Sequence, residues 1–408
     1  MLCSTTMPRF GDKQNSEFFE TYLTRLLEER DRSGLTEMIG GIEALIIGVE
    51  PGNSVDYIAE LALMTPYQYL VTLDSAQHLT HVLRIDMNSP DILLREVKNP
   101  GYSDIFRSLN DLYPVGARRP HSRYLGEILL TTDRHQVVTM QQQREFRFFG
   151  MGQLAELDLP VNVSFSKPSP YTQNVVGYIE RPLDGIRVYH HGECVILPAA
   201  QAANDRGKQM QESMGISDLI MPIDHLATRV YSQNREAAIL EYLALSSYYY
   251  WGSYDIKDQN SSTNVTKNIR LAPESNSPAK VFTANNHPYC VNHLDNLPSP
   301  TETFVRNFGP RLHHMAVEVK DGQTNGRENI DVVVEAITSQ GKGFLLDTVG
   351  SREEGLKQIF SAASDFSSLI VEYVQRFGEF QGFFTRDNVA QLTFAAGQEE
   401  GVKDSLLS

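Results

Sequence analysis

Two stretches of this chain, 181 residues apart, are built on the same plan. Residues 42–64 (IEALIIGVEPGNSVDYIAELALM) and residues 223–245 (IDHLATRVYSQNREAAILEYLAL) each contain an apolar β-type run, a polar turn and an amphipathic helix. A repeat of a whole strand-turn-helix unit predicts an internal duplication, in which both halves of the chain have the same β-α-β plan. Without a gap, five of the 23 aligned pairs are identical: Ile42/Ile223, Leu45/Leu226, Val49/Val230, Ile58/Ile239 and Glu60/Glu241.

One difference between the two copies bears on function. His225 in the second copy stands where the first copy has Ala44. If His225 is a metal ligand, the first half of the chain has lost that ligand, and we expect the first half to serve as structure.

A glutamate in an apolar setting marks residues 355–378 (GLKQIFSAASDFSSLIVEYVQRFG), which predict two β-runs joined by a polar turn. In the second run Ile370, Glu372 and Val374 share one face of the strand, because strand side chains alternate. A carboxylate between two apolar neighbours is costly unless it is paired, protonated or bound to a cation. An edge-strand glutamate that faces water explains the pattern equally well.

A third β-run, residues 312–319 (LHHMAVEV), adds His314 on one face and His313 on the other. His225, His314 and Glu372 thus stand on three separate β-runs. Two imidazoles and one carboxylate form the facial triad of non-haem Fe(II) oxygenases. The chain has 11 histidines, so a satisfied core histidine remains the alternative for each. A metal role for the adjacent His190 and His191 is disfavoured, since neighbouring strand residues point to opposite faces.

Composition limits the class of protein. The chain has 408 residues, of which 41% are apolar and 21% charged, as expected for a globular protein of two domains. A net charge of −15 without a basic stripe argues against a nucleic-acid partner. Three widely spaced cysteines favour a reducing compartment. With neither a signal-like N-terminus nor an apolar run of membrane length, we expect a cytoplasmic protein without a membrane partner.

Residue patterns predict further elements. Runs of β-type residues predict strands at residues 136–140 and 161–165, and a short strand at residues 268–271. The polar run at residues 257–266 (KDQNSSTNVT) predicts a loop. An amphipathic pattern predicts a last helix at residues 387–396.

Four of these motifs, IDHLATRV, RLHHMAVEV, GLKQIF and SLIVEYVQR, resemble the iron-binding half of the 4-hydroxyphenylpyruvate dioxygenase family, in the vicinal oxygen chelate superfamily. The resemblance covers about residues 223–393. It implies an α+β fold of duplicated vicinal oxygen chelate (βαβββ) modules, arranged as two open β-barrel-like halves with outer helices. The implied organisation is an N-terminal helical extension (1–35), an N-terminal domain without metal (36–200), a connection (201–220), a C-terminal iron-binding catalytic domain (221–397) and a polar tail (398–408).

The resemblance also implies a site. His225, His314 and Glu372 would bind Fe(II), with O2 as co-substrate and no catalytic side chain beyond the ligands. Helix 387–396 would cover the site as a lid, and the protein would act on a small-molecule 2-oxo acid, in a monomer or a homo-oligomer. The implied substrate-binding residues are Gln358, Asn286, Asn268, Phe383 and Phe384.

The implied activity is that of an Fe(II)-dependent dioxygenase that decarboxylates and hydroxylates a 2-oxo acid. The family reaction, in tyrosine catabolism, converts 4-hydroxyphenylpyruvate to homogentisate. Three departures fall on substrate positions: His313 replaces a glutamine, residues 382–389 lack the family's glycines, and Asn268 stands at a serine position. The alternatives are therefore a 4-hydroxymandelate synthase-like enzyme, a dioxygenase of an aliphatic 2-oxo acid, and a catalytically silent scaffold.

Overall fold

Two eight-stranded mixed sheets, one from each half of the chain, form the framework of the part of the protein that the structure describes. The structure is a computed structural model, and it describes residues 17–181, 185, 187–268, 276–288 and 299–397. The strand order is β6-β7-β5-β1-β4-β3-β2-β8 in the first sheet and β10-β11-β12-β9-β13-β18-β17-β16 in the second.

The first sheet and its helices extend to the middle of the chain. Its strands are β1 (Ile39–Val49), β2 (Gln68–Asp74), β3 (His78–Arg84), β4 (Asp91–Val97), β5 (Arg123–Thr131), β6 (Ser164–Phe165), β7 (Val175–Ile179) and β8 (Glu193–Val195). The helices of this half are α1 (Thr24–Ser33), which continues a π-helical turn (Glu17–Leu23), α2 (Leu35–Met38), α3 (Ser54–Met64), α4 (Ile105–Asn110), α5 (Arg134–Gln143) and α6 (Met151–Glu156). A longer helix, α7 (Pro198–Ser213), leads to the second half and packs on α3.

The second sheet repeats this order. Its strands are β9 (Ile220–Arg229), β10 (Tyr248–Ile256), β11 (Ser261–Asn268), β12 (Ala279–Asn285), β13 (Arg311–Val319), β16 (Val349–Ser351), β17 (Leu356–Phe360) and β18 (Ile370–Arg376), and a separate hairpin is formed by β14 (Gln323–Thr324) and β15 (Arg327–Glu328). Its helices are α8 (Arg235–Leu245), α9 (Pro300–Phe308), α10 (Asn329–Ser339) and α11 (Arg386–Ala396). None of the helices in the described ranges is long and apolar enough to cross a membrane.

The internal duplication predicted from the sequence is confirmed. Helices α3 and α8 are related by the same shift of 181 residues at both ends. In each half the first strand pairs in parallel with the fourth and antiparallel with the fifth, as β1 does with β4 and β5 and β9 does with β12 and β13. The units β1-α3-β2-β3-β4, β9-α8-β10-β11-β12 and β13-α10-β16-β17-β18 are βαβββ modules, so the predicted fold class is confirmed as well.

Strand β18 divides two apolar environments, as its alternating pattern predicts. Val371 and Tyr373 are buried against the helix α10 side, together with Ile330 and Val333. Val374 lies on the opposite face, inside the curve of the second sheet, with Leu356 and Ala316. Glu372, on the same face as Val374, is only 1% exposed, so the interpretation as an edge-strand glutamate facing water is wrong.

Two secondary-structure predictions are wrong because tertiary context and capping were missed. The predicted strand 136–140 lies inside helix α5, whose start is capped by the Asp133 side chain, which accepts a hydrogen bond from the Gln136 amide. The predicted loop 257–266 is a short 3-10 turn followed by β11, an interior strand of the second sheet. Its polar side chains are buried but satisfied, as when Asn264 Nδ2 donates to the Phe282 carbonyl at 3.2 Å.

Two other predictions are met only in part. The strand predicted at 161–165 is reduced to Ser164–Phe165. The strand predicted at 268–271 lies, beyond Asn268, outside the described residues.

Candidate metal centre

Three adjacent strands at the centre of the second sheet carry the three candidate ligands. On β13, Ala316 pairs with His225 of β9 on one side and with Glu372 of β18 on the other. Paired residues of neighbouring strands point to the same face, so both side chains project into the curve of the sheet above the small Ala316. His314 lies two residues before Ala316 and shares that face. The pairing register therefore brings the three side chains together.

The distances fit a single divalent cation. Glu372 Oε2 lies 3.0 Å from His225 Nε2 and 3.2 Å from His314 Nε2. Candidate ligand atoms of the three residues all lie within 4.8 Å of one another. Two ligand atoms at right angles, each about 2.1 Å from a metal ion, are about 3.0 Å apart. His225 Nε2 is buried and has no aligned hydrogen-bond partner, as expected of a nitrogen whose lone pair is reserved for a metal.

Neighbouring polar groups orient each ligand. His225 Nδ1 lies 2.7 Å from Asp224 Oδ2, and Arg376 in turn donates to the Asp224 carboxylate. A histidine that donates its Nδ1 proton to a carboxylate keeps Nε2 available as a ligand atom. Gln358 Nε2 donates to Glu372 Oε1 at 2.6 Å, which leaves Oε2 turned toward the two histidines. His314 Nδ1 is 2.8 Å from His313 Nδ1.

Electrostatics distinguish the two histidines. Burial, reinforced by the positive charge of His225, lowers the pKa of His314 well below its usual value, so His314 is neutral and able to bind a metal. Burial also lowers the pKa of His225, but the carboxylates of Glu372 and Asp224 outweigh it and raise that pKa to about 9. The pKa of Asp224 lies well below its usual range, because Arg376 and His225 outweigh the effect of burial. In the metal-free protein a proton on His225 thus faces Glu372 in the place of a cation.

A cavity of about 40 Å³ adjoins the ligands. This volume holds about one water molecule, so a substrate requires its walls to move apart. Helix α11 supplies part of the wall, and the Phe384 ring lies 5.1 Å from the His225 ring. The lining residues are Ala227, Arg229, Thr263, Val281, Thr283, His313, His314, Gln358, Phe360, Glu372, Phe384, Val389, Leu392 and Thr393.

Not every predicted substrate-binding residue reaches this cavity. Gln358 and Phe384 line it, whereas Phe383 packs on the His225 ring at 5.6 Å without lining it. Asn286 donates to Asp255 Oδ1 at the end of β12. Asn268 donates to the Gly40 carbonyl of the first half, because it lies at the end of β11, where the two halves meet. The structure therefore places Asn286 and Asn268 away from the cavity.

The sequence argument about the histidine pair on β13 was also wrong. Regular alternation would let only one of His313 and His314 face the cavity, but the register of β13 against β9 shifts between Leu312 and His314. Both histidines consequently line the cavity. Arg229 was missed, although it lies four residues after His225 on the same face of β9, a period-two signal that could have found it.

The first half has no ligand atoms at the corresponding positions. Ala44 pairs with Ile128 of β5, which pairs with Gly177 of β7, in the same register as His225, Ala316 and Glu372. Gly126, two residues before Ile128, takes the place of His314. The three ligand positions are thus Ala, Gly and Gly. Apolar side chains fill this region, and a Cβ atom at Gly177 would lie 2.7 Å from the Phe165 ring.

Comparison with known proteins gives matches only in structure. No protein-family model and no curated protein matches the sequence. A triple mutant of 4-hydroxymandelate synthase from Streptomyces coelicolor is similar with a TM-score of 0.61 and 14% identity, over 89% of this chain and 99% of that chain. A fusion protein of a xylose isomerase-like TIM barrel and 4-hydroxyphenylpyruvate dioxygenase has a TM-score of 0.53 and 13% identity, over 94% of this chain and 59% of the fusion.

The chain has the vicinal oxygen chelate fold. The fold implied by the sequence motifs is therefore confirmed. Within this fold, the described part of the chain brings a two-histidine, one-carboxylate cluster together in the second half, at the centre of its sheet.

Proposed function

We propose that this protein is an Fe(II)-dependent dioxygenase that oxidatively decarboxylates and hydroxylates a 2-oxo acid. The observation that carries the proposal is the convergence of His225, His314 and Glu372 on one buried point. Two histidines and one carboxylate with open positions are the ligand set of non-haem Fe(II) oxygenases. The names of the two structural neighbours, a 4-hydroxymandelate synthase and a 4-hydroxyphenylpyruvate dioxygenase fusion, support the same class of reaction.

His225, His314 and Glu372 would hold the iron. Bound there, Fe(II) would supply the binding of O2 and of the 2-oxo acid, which side chains alone cannot provide. Asp224 holds His225 in the tautomer that presents Nε2, and Gln358 keeps Glu372 Oε2 directed at the histidines. These outer contacts preserve the ligand geometry when no metal is bound, which lowers the cost of loading the site.

The walls of the cavity exclude water from the reacting centre. Phe360 lies 4.7 Å from the His314 ring, and Phe384 covers His225. Asn388 of α11 donates to Gln358 Oε1 at 3.1 Å, so the covering helix is tied to the same glutamine that positions Glu372. An arrangement of this kind closes the site once the substrate has entered.

The reference reaction is 4-hydroxyphenylpyruvate plus O2 giving homogentisate plus CO2. Attack on the benzylic carbon would instead give 4-hydroxymandelate plus CO2. An aliphatic 2-oxo acid is the other substrate class that the proposal includes.

Measurement of O2 consumption by the Fe(II)-loaded protein tests the proposal. We expect uptake of O2 with release of CO2 on at least one member of a panel of aromatic and aliphatic 2-oxo acids. Glu372→Gln should abolish uptake, because the ligand becomes neutral, whereas the control Glu335→Gln changes an exposed glutamate of α10 and should not alter it. Iron bound without any turnover would overturn the reaction, and failure to bind iron would support a silent scaffold.

A further inference from the structure

The cavity has a second polar wall that the ligand cluster does not use. At its end away from Glu372, the cavity is lined by Arg229, Thr263, Thr283 and His313. A cation and two hydroxyl groups in a closed cavity are expensive to bury unless they meet an acceptor. This wall therefore needs a binding role of its own.

Strand pairing places this wall at a defined distance from the metal ligands. His225, Ala227 and Arg229 share one face of β9, and four residues of strand separate the Cα atoms of His225 and Arg229 by about 13 Å. Arg229 pairs with Thr283 of β12, and Thr283 pairs with Thr263 of β11. The three polar side chains thus form one row across the sheet, parallel to the row that contains His225.

Helix α9 holds the guanidinium at this end. Arg229 is only 4% exposed, and its guanidinium lies over the Phe304 ring, 5.0 Å from the centroid. Arg229 Nη1 also lies 3.4 Å from the Pro300 carbonyl oxygen. An arginine stacked on a ring and anchored by a carbonyl is pre-organised for an anion, since its planar fork matches a carboxylate.

The charges of the cavity call for a dianion. Among the described residues that line it, Glu372 is the one carboxylate and Arg229 the one guanidinium. A divalent metal ion, Glu372 and Arg229 together carry a formal charge of about +2. A 2-oxo acid with one carboxylate leaves half of that charge uncompensated, whereas a second anionic group neutralises it.

We infer that the substrate is a 2-oxo acid that carries a second anionic group at the end remote from the oxo acid, where Arg229 and the hydroxyl groups of Thr263 and Thr283 bind it. This inference rests on the proposed function, and it narrows the substrate to a dianionic class. It disfavours 4-hydroxyphenylpyruvate, whose remote group is a neutral phenol.

Two matched pairs of compounds test the inference on the unmodified protein. The aliphatic pair is 2-oxohexanedioate and 2-oxohexanoate, and the aromatic pair is 4-carboxyphenylpyruvate and 4-hydroxyphenylpyruvate. Anaerobic calorimetry on the Fe(II)-loaded protein measures binding, and O2 uptake measures turnover. We expect the better dianion to bind about 30-fold or more tightly than its matched monoanion, because an unmatched buried charge pair costs at least that much.

Variants assign the preference to Arg229. Arg229→Gln should bring the binding ratio of dianion to monoanion close to one, and Arg229→Lys should restore part of it. The control Arg306→Gln removes an exposed arginine from the same helix that holds Arg229, and it should leave the ratio unchanged. If Arg229→Gln does not fold, the two substrate pairs on the unmodified protein still decide the question.

Two different failures are distinguishable. Equal or tighter binding of the monoanions would overturn the inference while O2 uptake on those monoanions would support the proposed function. Selective binding of dianions without O2 uptake on any compound would support the second anionic site and overturn the dioxygenase proposal.

Discussion

Metal binding to this site should release a proton from His225, and the affinity should therefore rise with pH. The carboxylates of Glu372 and Asp224 raise the pKa of His225 to about 9 in the metal-free protein. At pH 7 His225 consequently carries a proton that the metal must displace. Between pH 7 and pH 9 the displacement becomes easier by about 100-fold, or about 2.7 kcal/mol.

Calorimetry with Co(II) as the probe measures this linkage. Titrations at pH 7 in buffers of different ionisation enthalpy should show release of about one proton for each metal ion bound. The affinity, determined by competition with a chelator from pH 6.5 to pH 8.5, should rise about tenfold per pH unit. The control His135→Gln removes an exposed histidine of α5 and should leave the proton count unchanged.

The same pKa has the opposite effect on the stability of the metal-free protein. Because the pKa of His225 is raised above its unfolded value of 6.5, its contribution to stability is fully present below pH 6.5 and is lost as pH rises through about 9. The contribution is about 3 kcal/mol, measurable by urea unfolding of the metal-free protein. Metal affinity that does not vary with pH, together with no proton release, would refute this reasoning.

Three substitutions should show how the site is supported. Asp224→Asn should weaken metal binding about 10- to 100-fold in a chelator competition, since it removes the carboxylate that fixes the tautomer of His225. Ala316→Leu should abolish metal binding and cost about 1–3 kcal/mol in urea unfolding, because the added side chain fills the space between the paired His225 and Glu372. Asn388→Ala should cost about 1 kcal/mol and speed hydrogen exchange in α11, because the link to Gln358 is lost; unchanged exchange would show that this contact does not hold the cover.

Local sequence determined much of this fold. The period-two patterns of residues 312–319 and 370–374 and the strand-turn-helix repeat at 181 residues were sufficient to predict strands β9, β13 and β18 and the duplication. The same patterns singled out His225, His314 and Glu372, because a charged or titratable group among apolar neighbours is visible in the sequence itself. Helix α5 was missed even so, since its capping aspartate lies outside the run that was judged.

Tertiary structure alone decided how the site is assembled. Residues 257–266 are polar by composition, yet they fold mainly as an interior strand because the ladders with β10 and β12 satisfy their backbone groups. The register shift beside His314 turns His313 into the cavity, and no local pattern predicts such a shift. The row of Arg229, Thr283 and Thr263 exists only through strand pairing, because residues so far apart along the chain become neighbours only when the sheet forms. The sequence by itself thus determined which side chains could bind a metal, and the sheet decided what they face.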